Sequence, residues 1–535
     1  MKKRILHLLL TIGILSSFVA IMPITANALT EGNYTYEVLD DKATITFFSH
    51  RASGKVVIPD TLGGYPVTSI GENAFSNCYK LTSITIPDSV ISIGDYAFYT
   101  CSDITSISIP DSVTTIGDYA FYGCASLTSI TIPDSVTSIG ESAFYFCISL
   151  ESIKLSNNLT SIKDCTFFSC ENLSSIVIPN SVTSIEHDAF YGCNSLINIT
   201  IPNSVTRIGS SSFEECDNLT NVTIPESVTE LYVSTFSCCD SLQNINVDEN
   251  NSYFSSVNGN LFNKDKTKII QYAIGKTDAS YVVPNSVTNI GDYAFYYCNN
   301  LTNIIIPSSV TTIEDFAFYG CKNITTVTLN EGLNSIGEYA FHGCKSLTSI
   351  NLPNSLISID YDAFSNCTNL TNITIPNGVT TIKRMTFQYC TNLTSITIPN
   401  SVTHINDDVF DKCNNLKDVY FKGIKKEWDN IIIGNDNEYL KSATIHYHCY
   451  PPTNTSTIQG NGYKIYQVDL TNVPTGSKII LACYNGNTLT HIESRNNDNS
   501  IFAVFDNIIY DTIKVFVWDG YSDLIPVTEP ENVLN

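Results

Sequence analysis

Cysteine recurs at a fixed interval through most of this 535-residue chain. Within two series the spacing is 23 residues every time, and 59 residues separate the two series. A fixed period between about 20 and 50 residues is typical of a solenoid, in which each turn buries the apolar face of its neighbour. The longer interval leaves room for two more turns, one of them enlarged by an insertion. The ladder comprises Cys78, Cys101, Cys124, Cys147, Cys170, Cys193, Cys216, Cys239, Cys298, Cys321, Cys344, Cys367, Cys390 and Cys413.

Each repeat follows the pattern L-x-x-I-x-I-P-x-S-V-x-x-I-G-x-x-A-F-x-x-C-x-x. In the copy that begins at Leu81, alternating apolar residues predict a short strand. Pro87 ends that strand because proline has no N–H group to donate. A second short extended segment follows, and Gly94 then permits a turn from which Ala, Phe and Cys face inward at helical spacing. The predicted fold class is a mainly β repeat solenoid with short helical turns.

The cysteine ladder is predicted to be structural. Equivalent positions in stacked turns lie about 4.8 Å apart with parallel Cβ vectors, whereas a disulfide needs Cβ atoms about 3.8 Å apart that face each other. A collinear column of thiols also cannot surround a zinc ion tetrahedrally. We therefore interpret the ladder as inert apolar filling. Outside the ladder, Cys449 and Cys483 are candidates for one disulfide, with free thiols as the simpler interpretation.

Two outward-facing positions of the repeat are rich in aromatic residues and supply the candidate binding residues. These positions are three residues apart, so their side chains are expected to share one face and merge into a stripe. Tyrosine is enriched at interfaces because it combines a large apolar area with a hydroxyl group. The alternative is that the rings only pack sideways on the neighbouring turn. The stripe comprises Tyr96, Tyr99, Tyr119, Tyr122, Tyr145, Tyr191, Tyr293, Tyr296, Phe316, Tyr319 and Tyr339.

The outward face of the first strand is a second candidate surface. Its uncharged hydroxyl and amide groups suit a glycan or the polar surface of a partner. The alternative is that Ser, Thr and Asn simply keep this face soluble while they tolerate cross-strand pairing. The strand face includes Ser83, Thr85, Ser106, Ser108, Ser129, Thr131, Asn198, Thr200, Asn221 and Thr223.

Signals for catalysis are weak. His187, His342 and His404 occupy three different positions of the repeat, so they do not align. The sequence contains no nucleophile elbow, phosphate-binding loop or dinucleotide fingerprint. His446 and His448 share one face of a predicted strand, but no third metal ligand is nearby. We therefore expect a non-enzymatic protein with no cofactor and no bound metal.

The first residues have the form of an export signal. Three basic residues precede an apolar run, and small residues near Ala28 offer a cleavage site. A membrane anchor is the alternative, because the run is nearly long enough to span a bilayer. The formal net charge of -24 argues against nucleic-acid partners and anionic membrane surfaces. We expect a secreted or surface-associated protein that is not inserted in a membrane after cleavage and binds an extracellular protein or glycan.

Repeats such as "IPDSVTTIGDYAFYGC" at residues 109–124 resemble the BspA-like leucine-rich repeats of bacterial surface proteins. The segment "YTYEVLDDKATITFF" resembles the N-terminal hairpin cap of that family, and "DENNSYFSSVNGNLFNKDKTKIIQYAIGK" its β-hairpin insertion. The closing segment resembles the family's as well, with Trp428 and isoleucines 431–433 covering the last turn. The resemblance spans about residues 32–448 and implies a right-handed solenoid that mediates adhesion or protein binding. Carbohydrate or cell-wall binding through the strand face is the alternative function.

The composition changes after residue 448. A tract of Pro, Thr, Ser and Asn reads as a linker, and five strand candidates follow it, which predicts a small β-sandwich. The predicted boundaries are 1–28 for the signal peptide, 29–80 for the N-terminal cap and first repeat, 81–415 for the solenoid with an insertion around 248–280, 416–448 for the C-terminal cap, 449–461 for the linker and 462–535 for the β module.

Overall fold

The computed structural model describes residues 28–447 and, beyond them, the backbone of seven strands between residues 453 and 532. The chain divides into two compact units, Met1–Ser181 and Val182–Asn535, which we describe one at a time. The predicted signal peptide lies outside the described residues apart from Ala28, and so do His448 and Cys449. Within the described part of the chain, none of the helices has the length and hydrophobicity that crossing a membrane requires.

In the first unit, each repeat forms one turn with three sides. Side A is a short strand, side B is a strand of mostly two residues, and side C is an irregular turn that holds the Phe and Cys of the repeat. Ile84 pairs in parallel with Ile107 on side A, and Ile93 with Ile116 on side B. Each pair joins residues one period apart, so the predicted repeat solenoid is confirmed. Side A comprises Gly54–Val57, Leu81–Thr85, Ser106–Ser108, Ser129–Thr131, Ser152–Lys154 and Ser175–Ile176, and side B comprises Tyr65–Ile70, Ser92–Ile93, Thr115–Ile116, Ser138–Ile139 and Ser161–Ile162.

Side C is not the helical turn that the spacing predicted. Tyr96 and Thr100 have left-handed backbone angles, with φ of 56° and 52°. The N–H of Tyr96 donates to the C=O of Asp118 at 2.8 Å, and the N–H of Phe98 donates to the C=O of Ala120 at 2.7 Å. A helix would direct these N–H groups along its own axis. Alternating backbone handedness instead directs every second N–H to the next turn, which extends the ladder of hydrogen bonds to side C.

The inward side chains form continuous columns. The rings of Phe98 and Phe121 are fully buried and stack with centroids 5.4 Å apart. Beside them, the thiol of Cys124 donates to the C=O of Phe98 at 3.4 Å, and Cys101 donates to Phe75 at 3.0 Å. Neither of these cysteines forms a disulfide. Burial raises the pKa of Cys124 to about 12, so its thiol stays protonated at neutral pH.

An antiparallel hairpin precedes the first turn. Its strands are Tyr34–Leu39 and Lys42–Phe48, and Leu29–Glu31 pairs with the outer one. Lys42–Phe48 continues in parallel into side B, where it pairs with Tyr65–Ile70. The strand Thr61–Leu62 pairs antiparallel with that same side B strand within the lengthened first turn. The hairpin therefore covers the edge of side B and removes an exposed strand edge.

The second unit repeats the same three-sided turns. The helices among its described residues are short and lie near residue 430. Side A comprises Asn221–Ile224, Asn244–Val247, Ser280–Val282, Asn303–Ile305, Thr326–Thr328, Asn372–Thr374, Ser395–Ile398, Asp418–Phe421 and Thr444–Tyr447. Side B comprises Ser184–Ile185, Arg207–Ile208, Glu230–Leu231, Lys268–Gln271, Asn289–Ile290, Thr312–Ile313, Ser335–Ile336, Ser358–Ile359, Thr381–Ile382, His404–Ile405 and Ile432–Ile433. The helices are Lys425–Trp428 and Glu438–Ser442.

A β-hairpin interrupts the second unit within the predicted insertion. Strand Phe254–Val257 pairs antiparallel with Asn260–Asn263, which in turn pairs with the side B strand Lys268–Gln271. In the turn that follows, Tyr272 takes the place of the usual phenylalanine and stacks on Phe295 at 5.1 Å. The phenylalanine column therefore begins anew after the insertion.

The closing segment covers the last described turns of the second unit. Trp428 is buried and meets the ring of Phe421 edge-on at 5.3 Å. Ile431 is also buried, whereas Ile432 is 63% exposed. Of the apolar residues expected to cover the last turn, Ile432 thus faces away from the core.

The described strands after residue 452 form two antiparallel sheets. Residues 453–460, expected to lie in the linker, form a strand, because their alternating Thr residues favour extended backbone. Cys483 lies on a strand, but with Cys449 undescribed the disulfide between them stays a prediction. One sheet contains Thr453–Gly460, Tyr463–Asp469 and Ser500–Phe505, and the other contains Lys478–Asn485, Thr488–Asn496, Thr512–Trp518 and Glu531–Asn532.

Candidate functional site

The aromatic residues singled out in the sequence lie on side C. Those of the first unit form a set that we call the first aromatic ladder. The left-handed angle at Tyr96 and the second one at Thr100 turn the side chains of residues 96 and 99 away from the core, while Phe98 between them points inward. The same geometry recurs one turn later at Tyr119. The first aromatic ladder comprises Tyr96, Tyr99, Tyr119, Tyr122, Tyr145 and Phe168.

The rings of the first aromatic ladder stack on one another and all remain half-buried. The two columns also meet, because Tyr96 contacts Tyr99 with centroids 5.6 Å apart in a T-shaped arrangement. Sideways packing and exposure, the two alternatives for these residues, therefore coexist. The stacked pairs and their centroid separations are Tyr96–Tyr119 at 4.8 Å, Tyr99–Tyr122 at 4.7 Å, Tyr122–Tyr145 at 5.0 Å and Tyr145–Phe168 at 4.3 Å.

Stacking decides what a ligand meets on this surface. Neighbouring rings cover each other's faces, as Tyr145 and Phe168 do with an interplanar angle of 1°. A ligand therefore meets ring edges, because the ring faces inside the ladder are covered by their neighbours. Burial and the neighbouring tyrosines raise the pKa of Tyr122 above its ordinary value. Its hydroxyl is thus protonated at neutral pH and is able to donate a hydrogen bond.

Phe146 adds to the first aromatic ladder, and sequence reasoning missed it. It occupies the second left-handed position of its turn, with φ of 57°, and is 41% exposed. Its ring meets Tyr145 edge-on at 4.6 Å and also contacts Tyr122 and Phe168. A helical turn would have placed adjacent residues on different faces. The left-handed backbone brings Phe146 onto the same face.

A second aromatic ladder lies in the second unit. Its rings follow the same two columns, and Tyr297 joins them from the second left-handed position. The ammonium group of Lys322 lies 5.8 Å from the centre of the Tyr297 ring. The second aromatic ladder comprises Tyr293, Tyr296, Phe316, Tyr319, Tyr339 and His342, with stacked separations of 4.8 Å for Tyr293–Phe316 and Phe316–Tyr339, 5.2 Å for Tyr296–Tyr319 and 4.8 Å for Tyr319–His342.

Two residues at the margins of the columns have distinct surroundings. Burial, followed by the neighbouring Lys345, lowers the pKa of His342, so the imidazole is neutral at pH 7. Burial and the carboxylate of Glu215 raise the pKa of Tyr191, which lies in the second unit and is half-buried. Acidic groups are therefore among the neighbours of Tyr191.

A column of carboxylates runs beside the first aromatic ladder. Each acidic residue immediately precedes the residue at the first left-handed position of its turn. The carboxylate of Asp95 accepts the backbone N–H of Asp118 at 2.8 Å, and that of Asp118 accepts the N–H of Glu141 at 2.8 Å. The repeated acidic residue before each outward position was the available sequence signal. The carboxylate column comprises Asp95, Asp118, Glu141 and Asp164.

The other candidate sites differ in what they offer. On side A, Thr85, Ser108 and Thr131 are exposed, so the hydroxyl face is accessible. At the end of the solenoid, the Nε2 atom of His446 lies 2.9 Å from Asp418 Oδ1, within hydrogen-bond distance. Throughout the described residues, no group of three or more His, Cys, Asp or Glu side chains is arranged to hold a metal ion.

Comparison with known proteins agrees with this architecture. A family model for the BspA type leucine rich repeat region, six copies long, matches residues 68–186, 160–278, 267–344 and 315–438. These stretches cover more than half of the chain. The class is therefore a leucine-rich-repeat solenoid, and the chain belongs to the BspA-type leucine-rich-repeat family. The resemblance read from the repeat sequence is confirmed.

Several solved structures are similar. A leucine rich cell surface protein from Faecalibacterium prausnitzii is 30% identical with a TM-score of 0.53, and the match covers 76% of this chain and 97% of that one. A leucine-rich repeat protein from Bacteroides ovatus is 27% identical with a TM-score of 0.46, with coverage of 78% and 99%. The pneumococcal vaccine antigen PcpA is 24% identical with a TM-score of 0.40, with coverage of 78% and 98%. A search of the curated proteins gave no significant match.

Proposed function

We propose that this protein is a non-enzymatic binding protein, exported to the cell surface or beyond, and that its aromatic ladders contact a protein partner. The observation that carries the proposal is the half-exposed stack of tyrosines on side C. In other turns, small polar residues occupy the same positions of the repeat. Ser142 occupies the position of Tyr119 in the next turn, with the same left-handed backbone. The fold therefore does not require an aromatic residue there, which favours a role in binding.

Tyrosine suits this role physically. Its ring provides apolar area at a low cost in side-chain entropy, and its hydroxyl pairs with polar groups of a partner. Rings that are already stacked lose little further freedom on binding, which reduces the entropic cost of an interface. The similarity to a protein described as a cell surface protein supports an extracellular location.

The experiment is a binding screen of the mature chain against matrix glycoproteins and purified polysaccharides. Each glycoprotein is tested untreated, after periodate oxidation of its glycans and after proteolysis. Protein recognition predicts saturable binding that survives periodate and is lost on proteolysis. A variant with Tyr99, Tyr122, Tyr296 and Tyr319 changed to Ser is expected to lose that binding while its circular dichroism spectrum is unchanged.

Binding to polysaccharide alone, undiminished in this variant, would contradict the proposal. The exposed hydroxyl face of side A would then be the site, as in the alternative function.

A further inference from the structure

We propose that the first aromatic ladder and the carboxylate column beside it form a docking surface for a basic segment of a protein partner, rich in lysine or arginine. This inference rests on the proposed function and specifies the chemistry of the partner. It applies to the first unit, where the aromatic residues and the acidic column run side by side along the same turns.

The charge of this surface is one-sided. Residues 81–168 contain nine Asp or Glu residues against two Lys, at positions 154 and 163, and no Arg or His. Lys154 lies on side A, and Lys163 precedes the last member of the carboxylate column, Asp164. Asp95, Asp118 and Glu141 therefore have no cation beside them in sequence. Successive turns are about 4.8 Å apart, so negative charges repeat at short range along the column and attract cations from a partner.

The aromatic residues and carboxylates complement the two parts of a basic side chain. Lysine and arginine carry an apolar stem and a charged head, and they bury the stem while the head keeps polar contacts. The exposed ring edges of the first aromatic ladder suit the stem, and the adjacent carboxylates suit the head. Phe146, 41% exposed, enlarges the apolar part of the surface.

The second aromatic ladder provides an internal comparison. There, Lys322 of the chain itself lies over Tyr297. In the first unit, Phe146 is at the repeat position of Tyr297, and Glu171 is at the repeat position of Lys322. Both ladders thus have an aromatic residue at the first of these positions. At the second position the first ladder has a negative charge, whereas the second ladder has a lysine of its own. Acidic glycans would be repelled by this surface, whereas basic protein segments are attracted to it.

The test uses the full mature chain and a fluorescent peptide of alternating lysine and serine. Changing Asp95→Asn, Asp118→Asn and Glu141→Gln removes three charges while each Asn retains an amide oxygen for the backbone N–H of the next turn. The matched control, Asp88→Asn, Asp111→Asn and Glu151→Gln, removes the same charge from exposed positions away from the column. Fluorescence anisotropy at low ionic strength measures both variants.

The column variant is expected to bind the peptide about tenfold more weakly, and the control within about twofold of the wild type. Acetylating the lysines of the peptide is expected to abolish binding to the wild-type protein. Equal weakening in both variants would overturn the inference, because attraction would then follow net charge alone. Undiminished binding of the acetylated peptide would overturn it as well.

The same variants separate this inference from the proposed function. One outcome would leave the proposed function standing and overturn the basic partner. In that outcome, the tyrosine variant loses binding to a matrix glycoprotein, whereas the column variant and acetylation of the glycoprotein's lysines leave that binding unaffected. Loss of that binding in both variants supports both proposals.

Discussion

Tyr96 and Tyr119 stack with ring centroids 4.8 Å apart and an interplanar angle of 2°, although each has a left-handed backbone with φ of 56°. A bulky residue in this conformation costs roughly 1–2 kcal/mol, or about 2–4 kcal/mol for the two, and the three ring contacts that they make with each other, with Tyr99 and with Tyr122 return about 0.5–1.5 kcal/mol each. The two effects are similar in size, so the stack does little for stability. Retaining tyrosine at these positions therefore calls for another benefit, which we assign to binding.

Replacing Tyr96 and Tyr119 together by Asn is expected to leave the free energy of unfolding within about 1 kcal/mol of the wild type, because Asn adopts the left-handed conformation readily. Chemical denaturation followed by circular dichroism measures the change. A loss several times larger would show that the rings are needed for folding and would remove the argument for a binding role.

The inward ring of Phe121 is expected to behave in the opposite way. It is fully buried and stacks on Phe98 and Phe144. Changing Phe121→Ala leaves a cavity in a packed column and is expected to lower the free energy of unfolding by about 3–5 kcal/mol. Tyr122→Ala, one residue further along the chain and half-exposed, is the matched control and is expected to cost less. Equal losses in the two variants would contradict the assignment of inward and outward positions.

The thiol of Cys124 is expected to resist alkylation in the native protein. It is fully buried, and burial raises its pKa to about 12, so the reactive thiolate is scarce. Iodoacetamide labelling followed by peptide mass spectrometry is expected to find Cys124 modified only after denaturation. Rapid labelling under native conditions would show that the cysteine column is accessible and would contradict its role as inert filling.

Stability is expected to fall in alkaline solution. Burial raises the pKa of Tyr34 and of Tyr281 to about 12, against an ordinary value of about 10. Between these values the folded protein retains protons that the unfolded chain releases, so the free energy of unfolding decreases as pH rises. Thermal melts from pH 8 to pH 11 are expected to show a midpoint that falls above about pH 9, where buried thiols such as Cys124 contribute, and falls more steeply above about pH 10, where the two tyrosines add to the effect. Changing Tyr281→Phe is expected to weaken that dependence, and an unchanged slope would contradict the assignment to this residue.

The period, the inward columns and the outward positions of the tyrosines can be predicted from the sequence, because each repeat has the same pattern of apolar residues. The path of side C does not follow from it. A spacing of three residues fits a helical turn as well as the observed one, and nothing in the residue type of Tyr96 indicates a left-handed backbone. For the same reason Phe146 and Tyr297 were missed, since their adjacency to Tyr145 and Tyr296 suggests different faces when a helix is assumed. The acidic column was visible in sequence, but its alignment with the rings required the structure.

The most direct test of the binding role compares two sets of tyrosines in one titration. The ladder variant changes Tyr99, Tyr122, Tyr296 and Tyr319 to Ser. The control makes the same substitution at four tyrosines that lie outside both ladders, which are Tyr79, Tyr232, Tyr253 and Tyr389, with exposed fractions of 53%, 46%, 53% and 46%. Affinity for the glycoprotein selected in the screen is measured for both variants and the wild type. We predict that the ladder variant binds at least about tenfold more weakly, while the control stays within about twofold. Equal affinities for the two variants, or a larger loss in the control, would contradict the assignment of binding to the aromatic ladders.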